Sequence, residues 1–219
     1  MTTAISEIST HELENKVLGL YKDLPLAGRL YLQIRVRNYP KAMWRHLSDL
    51  RGSVISLGAG YALLEAMAAL RNPDARITAS DVNAERIATA RKALAEIPNL
   101  SLDVIDLCER FPEGRADAFL LLDVLHHLPP AVQESVLANI ARALPSGGSV
   151  VIKECGTRPA WKKWVNYLND AIGAPGQKTH PRGEQEWVSL LESNGLRSSS
   201  VRIDAGTPYA HIMVFGRKA

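Results

Sequence analysis

Ser53-Val54-Ile55-Ser56-Leu57-Gly58-Ala59-Gly60-Tyr61-Ala62 begins as a short apolar run and ends in two glycines separated by a single residue. An apolar run of this length, closed by a turn residue, reads as a buried β-strand over 53–57. Tyr61 to Leu70 is apolar almost all round, which predicts a helix packed between a sheet and its neighbours. Strand, glycine turn and helix together bring backbone close to a bound nucleotide, because glycine permits the tight turn and has no Cβ to obstruct approach. Glycines are common in any strand-to-helix turn, so the loop decides little until its surroundings are read.

Downstream, strands alternate with helices. Ile77 to Ser80 is a second strand, and Asn83 can cap a helix carrying Ile87, Ala90, Arg91 and Leu94 at helical spacing. Leu100–Ile105 and Ala118–Leu122 read as strands three and four. Pro130 suits a helix start, with Val132, Val136, Leu137, Ile140 and Leu144 on one face. Pro145-Ser-Gly-Gly148 then turns the chain into a fifth strand, Ser149 to Lys153. Glu184 to Ser193 is another helix, stopped by Asn194-Gly195, and Leu196–Ile203 with Tyr209–Gly216 reads as a closing antiparallel hairpin. Alternation of this kind predicts an α/β fold with a largely parallel sheet covered on both faces. Upstream of it, Glu12 to Leu20 looks helical, and the apolar spacing over residues 30–36 is read as helix although it also alternates as a strand would.

Two acidic residues give the glycine loop its meaning. Asp81 closes the second strand 21 residues beyond Gly60, near the offset at which a carboxylate reaches the ribose hydroxyls of an adenosine. Asp106-Leu107 follows the third strand, where an acidic side chain can accept from an adenine amino group. Ligands of open α/β sheets bind at the carboxyl ends of the strands, and all three features lie there. A nicotinamide or flavin dinucleotide is disfavoured, because its third fingerprint glycine is replaced here by Leu63. The phosphate-cradling G-x-x-x-x-G-K-[ST] pattern does not occur.

In combination these stretches resemble the class I S-adenosylmethionine-dependent methyltransferases. Val54-Ile-Ser-Leu-Gly-Ala-Gly-Tyr-Ala62 is similar to their first motif and Ser80-Asp-Val-Asn83 to their second. Asp103-Val-Ile-Asp-Leu107 is similar to the adenine-contacting segment, Leu122-Asp-Val-Leu-His-His-Leu128 to the fourth motif, and Leu144-Pro-Ser-Gly-Gly148 to the turn before strand five. The resemblance covers residues 50–155 and implies a Rossmann-like, doubly wound seven-stranded sheet of order 3-2-1-4-5-7-6 with strand 7 antiparallel, plus an N-terminal helical segment. It implies S-adenosyl-L-methionine as cofactor, contacted by Ser56, Gly58, Ala59, Gly60, Asp81, Val82, Asp106, Leu107 and Asp123. Two positions depart from the family's pattern. Its acidic residue in the first motif is Ser56 here and its third loop glycine is Ala62, which implies altered contact with the methionine end. The same motifs fit a cofactor-dependent enzyme of another outcome, such as a cyclase, or a catalytically inactive cofactor-binding regulator.

Methyl transfer from a sulfonium depends chiefly on alignment, and needs a base when the acceptor is a hydroxyl. His126 and His127, following strand four, are the catalytic candidates, and they fit a packed turn equally. Tyr31, Glu154, Trp161 and Trp164 are the substrate-facing candidates; Glu154, at the end of strand five, orients the acceptor or is equally a solvated strand end. Residues 1–50 are read as a helical cap over the acceptor, and residues 51–219 as the core, with a lid inserted at about 156–183. In that lid Trp161, Trp164, Val165, Leu168 and Ile172 share one helical face.

Bulk properties point the same way. The 219 residues suit one generous domain, 46% apolar and 22% charged, with a formal net charge of +3. Charges of both signs are interspersed, which argues against nucleic acid as partner, as does Asp123-Val-Leu-His126 where exocyclic-amine methyltransferases carry an Asn/Asp-Pro-Pro-aromatic run. A small-molecule acceptor is expected, in a monomer or homodimer, and no metal. Cys108 and Cys155 have no ligand spacing and read as reduced thiols, and the polar opening residues show no secretory signal, so the expected location is the cytoplasm. Arg29, Arg35, Arg37, Lys41 and Arg45 among apolar residues allow peripheral contact with anionic lipid, or simply a solvated helix face.

Overall fold

The computed structural model describes residues 9–159, 161–162 and 178–219. Seven strands form a sheet of order β3-β2-β1-β4-β5-β7-β6. The fold is the one expected, with β7 antiparallel to β5. By compactness the chain divides into two units, the first ending at Val104 and the second beginning at Ile105. The N-terminal segment thus belongs to the same compact unit as the first three strands.

In the first unit, Ser9 and Glu12 form a reciprocal cap that starts α1 (Thr10–Leu20), which buries Leu13 and Val17. α2 (Leu26–Asn38) settles the ambiguous stretch as helix. It buries Leu32 and Val36, four residues apart on one face, and leaves Leu26, Leu30 and Ile34 outside. β1 (Gly52–Leu57), β2 (Ala75–Asp81) and β3 (Leu100–Val104) pair in parallel, Leu57 opposite Ser80 and Asp81 opposite Val104. α3 (Leu63–Arg71) starts two residues later than its apolar pattern suggests. Gly58, Gly60 and Ala62 all have positive φ, at 75°, 59° and 52°, so the chain cannot enter a right-handed helix before Leu63. α4 (Ala84–Ala93) is capped by Asn83, whose side chain accepts from the Arg86 N–H.

In the second unit, β4 (Ala118–Leu122) is buried along its whole length and pairs in parallel with β5 (Ser149–Cys155). β5 runs two residues beyond the expected Lys153, because β7 (His211–Lys218) supplies partners there: Glu154 lies opposite Ile212 and Cys155 opposite His211. α5 (Pro130–Ala143) starts at the predicted proline. α6 (Glu184–Ser193) buries Trp187 and Leu191, and β6 (Leu196–Arg202) completes the hairpin with β7. No described helix is long and apolar enough to cross a membrane.

Candidate active site

The glycine loop is tied to the end of β2 by its own backbone. The Gly58 and Ala59 N–H groups both donate to the Ser80 carbonyl oxygen, at 2.7 and 2.8 Å. Gly60 N–H donates to Asp81 Oδ2 at 2.7 Å, and Asn83 N–H to Oδ1 at 2.9 Å. The carboxylate thus draws loop and strand end together and keeps lone pairs to accept further hydroxyl donors. A Cβ added to Gly60 would meet nothing within 4 Å, so the loop faces open space, and Val82 beside it is exposed. An open backbone cradle next to an acceptor carboxylate fits the adenosine of S-adenosylmethionine.

Behind the loop lies a group that the sequence reading passed over. Ser56, fully buried, donates from Oγ to Glu65 Oε1 at 2.7 Å. Burial pushes the Glu65 carboxyl up to about 7, and the Ser56 hydrogen bond only partly offsets this. Tyr21, at the end of α1, donates from its hydroxyl to the Tyr61 carbonyl, and its ring meets that of Tyr61 edge-on at 6.5 Å. Burial raises the Tyr21 phenol, with Glu65 adding to the effect. Tyr31, a predicted acceptor contact, also packs on Tyr61, its ring centre 6.2 Å away. Glu65 was detectable as the lone acid in the apolar run Leu63 to Leu70.

In the second unit, Asp106 Oδ1 accepts from the Cys108 N–H at 2.8 Å, and Leu107 is half-buried. Asp123 sits just past β4 with φ of 59°, a left-handed conformation unusual for a residue with a side chain. Its carboxylate binds the Lys153 ammonium through both oxygens, at 2.7 and 2.5 Å. Burial alone would raise the Asp123 carboxyl, but the charges of Lys153, His211 and His126 outweigh it and hold the group at about 2. Asp123, His126 and Cys155 each bring one potential ligand atom within 4.8 Å of the others, yet the ammonium already on Asp123 disfavours a cation there.

His126 and Glu154 form a buried pair, 2% and 1% exposed, with Nδ1 and Oε2 2.5 Å apart. This burial excludes the solvated strand end among the two readings of Glu154. Its Oε1 accepts from the Leu125 N–H at 2.8 Å and its Oε2 holds His126, so both oxygens serve the turn after β4. His127 stacks beside His126, ring centres 4.0 Å apart. The turn is locked further by the His180 N–H, which donates to the His126 carbonyl at 2.6 Å. Gln133 Nε2 also donates to the carbonyls of Leu125, Leu128 and His180. Arg182 is engaged by Gln133 and Glu134. Trp161 is exposed, with the Lys162 ammonium over its ring. Trp164, Val165, Leu168 and Ile172 lie outside the described residues.

Residues 54–148 match the family model of the methyltransferase domain. By that match and by the sheet order, residues 54–148 are similar to the class I S-adenosylmethionine-dependent methyltransferase domain. The pyocyanin biosynthetic protein PhzM has the same fold, with a TM-score of 0.70 and 23% identity over 92% of this chain and 61% of its own. The mitomycin 7-O-methyltransferase MmcR matches with a TM-score of 0.63 and 21% identity over 93% of this chain and 60% of its own. Human N-acetylserotonin methyltransferase, solved with S-adenosylmethionine, gives 0.66 and 18% over 96% and 57%. The chain thus spans about three fifths of the length of each of these proteins. No protein of curated function matches its sequence.

Proposed function

We propose that the chain methylates a small-molecule acceptor at a hydroxyl oxygen, with His126 as general base and Glu154 as the residue that positions it. The observation that carries this reading is the buried His126–Glu154 pair. A carboxylate only accepts, so Nδ1 is the donor, and the basic nitrogen of the ring is Nε2. A carboxylate behind an imidazole also stabilises the imidazolium formed when Nε2 takes a hydroxyl proton. S-adenosylmethionine, when bound, supplies the activated methyl group. Gly58, Ala59, Gly60, Asp81 and Val82, all in the first unit, are the residues that would hold it there. Trp161, exposed and in the same unit as His126, would contact the acceptor. The tie between His180 and the His126 turn supports a covering role for the residues next to His180.

Release of S-adenosylhomocysteine from S-adenosylmethionine, measured against panels of phenols, alcohols, amines and carbon acids, identifies the acceptor class. With a hydroxyl acceptor, His126→Gln lowers turnover by about 10²–10⁴-fold and Glu154→Gln by less. Both losses shrink as pH rises and the acceptor ionises unaided. Affinity for S-adenosylhomocysteine stays unchanged in both. Turnover near wild type at every pH in both variants would mean that alignment alone drives the reaction, and would remove the base from this account.

A further inference from the structure

We propose that the Ser56–Glu65 pair is the counter-charge for the ammonium group at the methionine end of the cofactor, an assignment that rests on the cofactor reading above. Glu65 lies in the first turn of α3, directly after the glycine loop, and its side chain returns to the carboxyl end of β1, where Ser56 Oγ donates to it at 2.7 Å. It is 2% exposed in a helix whose other buried residues are Leu63, Leu64, Ala66, Met67, Ala68 and Ala69. A carboxylate in such surroundings costs more than an apolar residue would, and a cation that arrives on binding reverses that balance.

The charged and titratable groups around Glu65 are divided. Asp81 on β2 opposes its ionisation and Arg35 on α2 favours it. The Tyr21 phenol, raised partly by Glu65, faces it from the end of α1. With the carboxyl standing at about 7, the cofactor-free protein carries it largely protonated below neutral pH. The ammonium of an incoming amino-acid end stabilises the ionised form at short range in a low-dielectric site, so the carboxyl gives its proton to solvent as the ligand binds. Ser56 contributes a hydroxyl without charge to the end of β1, and Glu65 brings the charge to the same place from the neighbouring helix.

Two ligands separate this role from a purely structural one. S-adenosylhomocysteine has the amino-acid end; 5′-methylthioadenosine has the same adenosine and sulfur without it. Calorimetry of the full chain, in two buffers of different ionisation enthalpy and about one pH unit below the Glu65 value of about 7, counts the protons released. Wild type should release about one proton with S-adenosylhomocysteine and none with 5′-methylthioadenosine. Glu65→Gln should abolish the release and weaken S-adenosylhomocysteine by about tenfold or more, with 5′-methylthioadenosine within about twofold of wild type. Proton-neutral binding of S-adenosylhomocysteine to wild type would overturn the assignment without recourse to any variant. Equal weakening of both ligands by Glu65→Gln would overturn it too, as the sign of a structural role. Failure of wild type to bind either ligand would instead overturn the cofactor reading beneath it.

Discussion

Lys153 breaks the apolar run Val150-Val151-Ile152, and at 1% exposure it is among the most deeply buried side chains of its unit. A charge there is supported by Asp123, which accepts it through both oxygens. Lys153→Met should therefore destabilise the protein by about 3–5 kcal/mol, since it leaves the Asp123 carboxylate buried without its partner. The double variant Asp123→Asn, Lys153→Met should recover part of that loss. Urea unfolding of the four proteins measures the coupling, and simple additivity would show that the pair does not act as a unit. The pair also sets an acid limit. Asp123 falls from 3.8 to about 2 on folding, so its contribution is present above 3.8 and is lost as pH drops through 2. Glu65 has the opposite sign. Raised from 4.5 to about 7, it contributes fully below 4.5, and its contribution is lost as pH rises through 7.

Loop, strand end and helix cap form one device around Asp81. The carboxylate receives the Gly60 N–H from the loop before α3 and the Asn83 N–H from the turn before α4, while the Asn83 side chain turns the other way to cap α4. Cap and ligand contact are thus separable. Asn83→Ala should lower stability by about 1 kcal/mol in urea unfolding, the usual cost of a lost cap. It should leave S-adenosylhomocysteine affinity unchanged, because the bond to Asp81 comes from the backbone. A matching loss of affinity would show that the cap orders the ligand-binding turn as well. In the second unit, β5 follows the same logic of shared support. Its last two residues are strand because β7 pairs with them, and that pairing carries Glu154 into the interior.

At the scale of the whole chain, cofactor binding is linked to folding. A ligand that binds the native state alone stabilises it by roughly 2.7 kcal/mol at a hundred times its dissociation constant. S-adenosylhomocysteine should therefore raise the melting temperature in a concentration-dependent way, and NAD should leave it unchanged, since Leu63 stands where the dinucleotide fingerprint needs glycine. Asp81→Ala should shrink the shift by removing charge-assisted bonds worth ~1.5–3 kcal/mol. An NAD-induced shift equal to that of S-adenosylhomocysteine would contradict the specificity argued from the loop.

The strands, the helices and the glycine loop were legible because their signals are local, whereas the sheet order came from the family resemblance. Apolar period separates strand from helix, and Gly58, Gly60 and Asp81 keep the spacing of one strand-turn-helix unit and the strand after it. The partners of Ser56, Asp123 and His126 were not legible. They lie 9, 30 and 28 residues away, at Glu65, Lys153 and Glu154. Periodicity marks a residue as inward or outward but does not say what it will meet inside. That is set by strand order and register, which place β5 beside β4, extend it to Cys155 along β7, and make Glu154 the partner of His126.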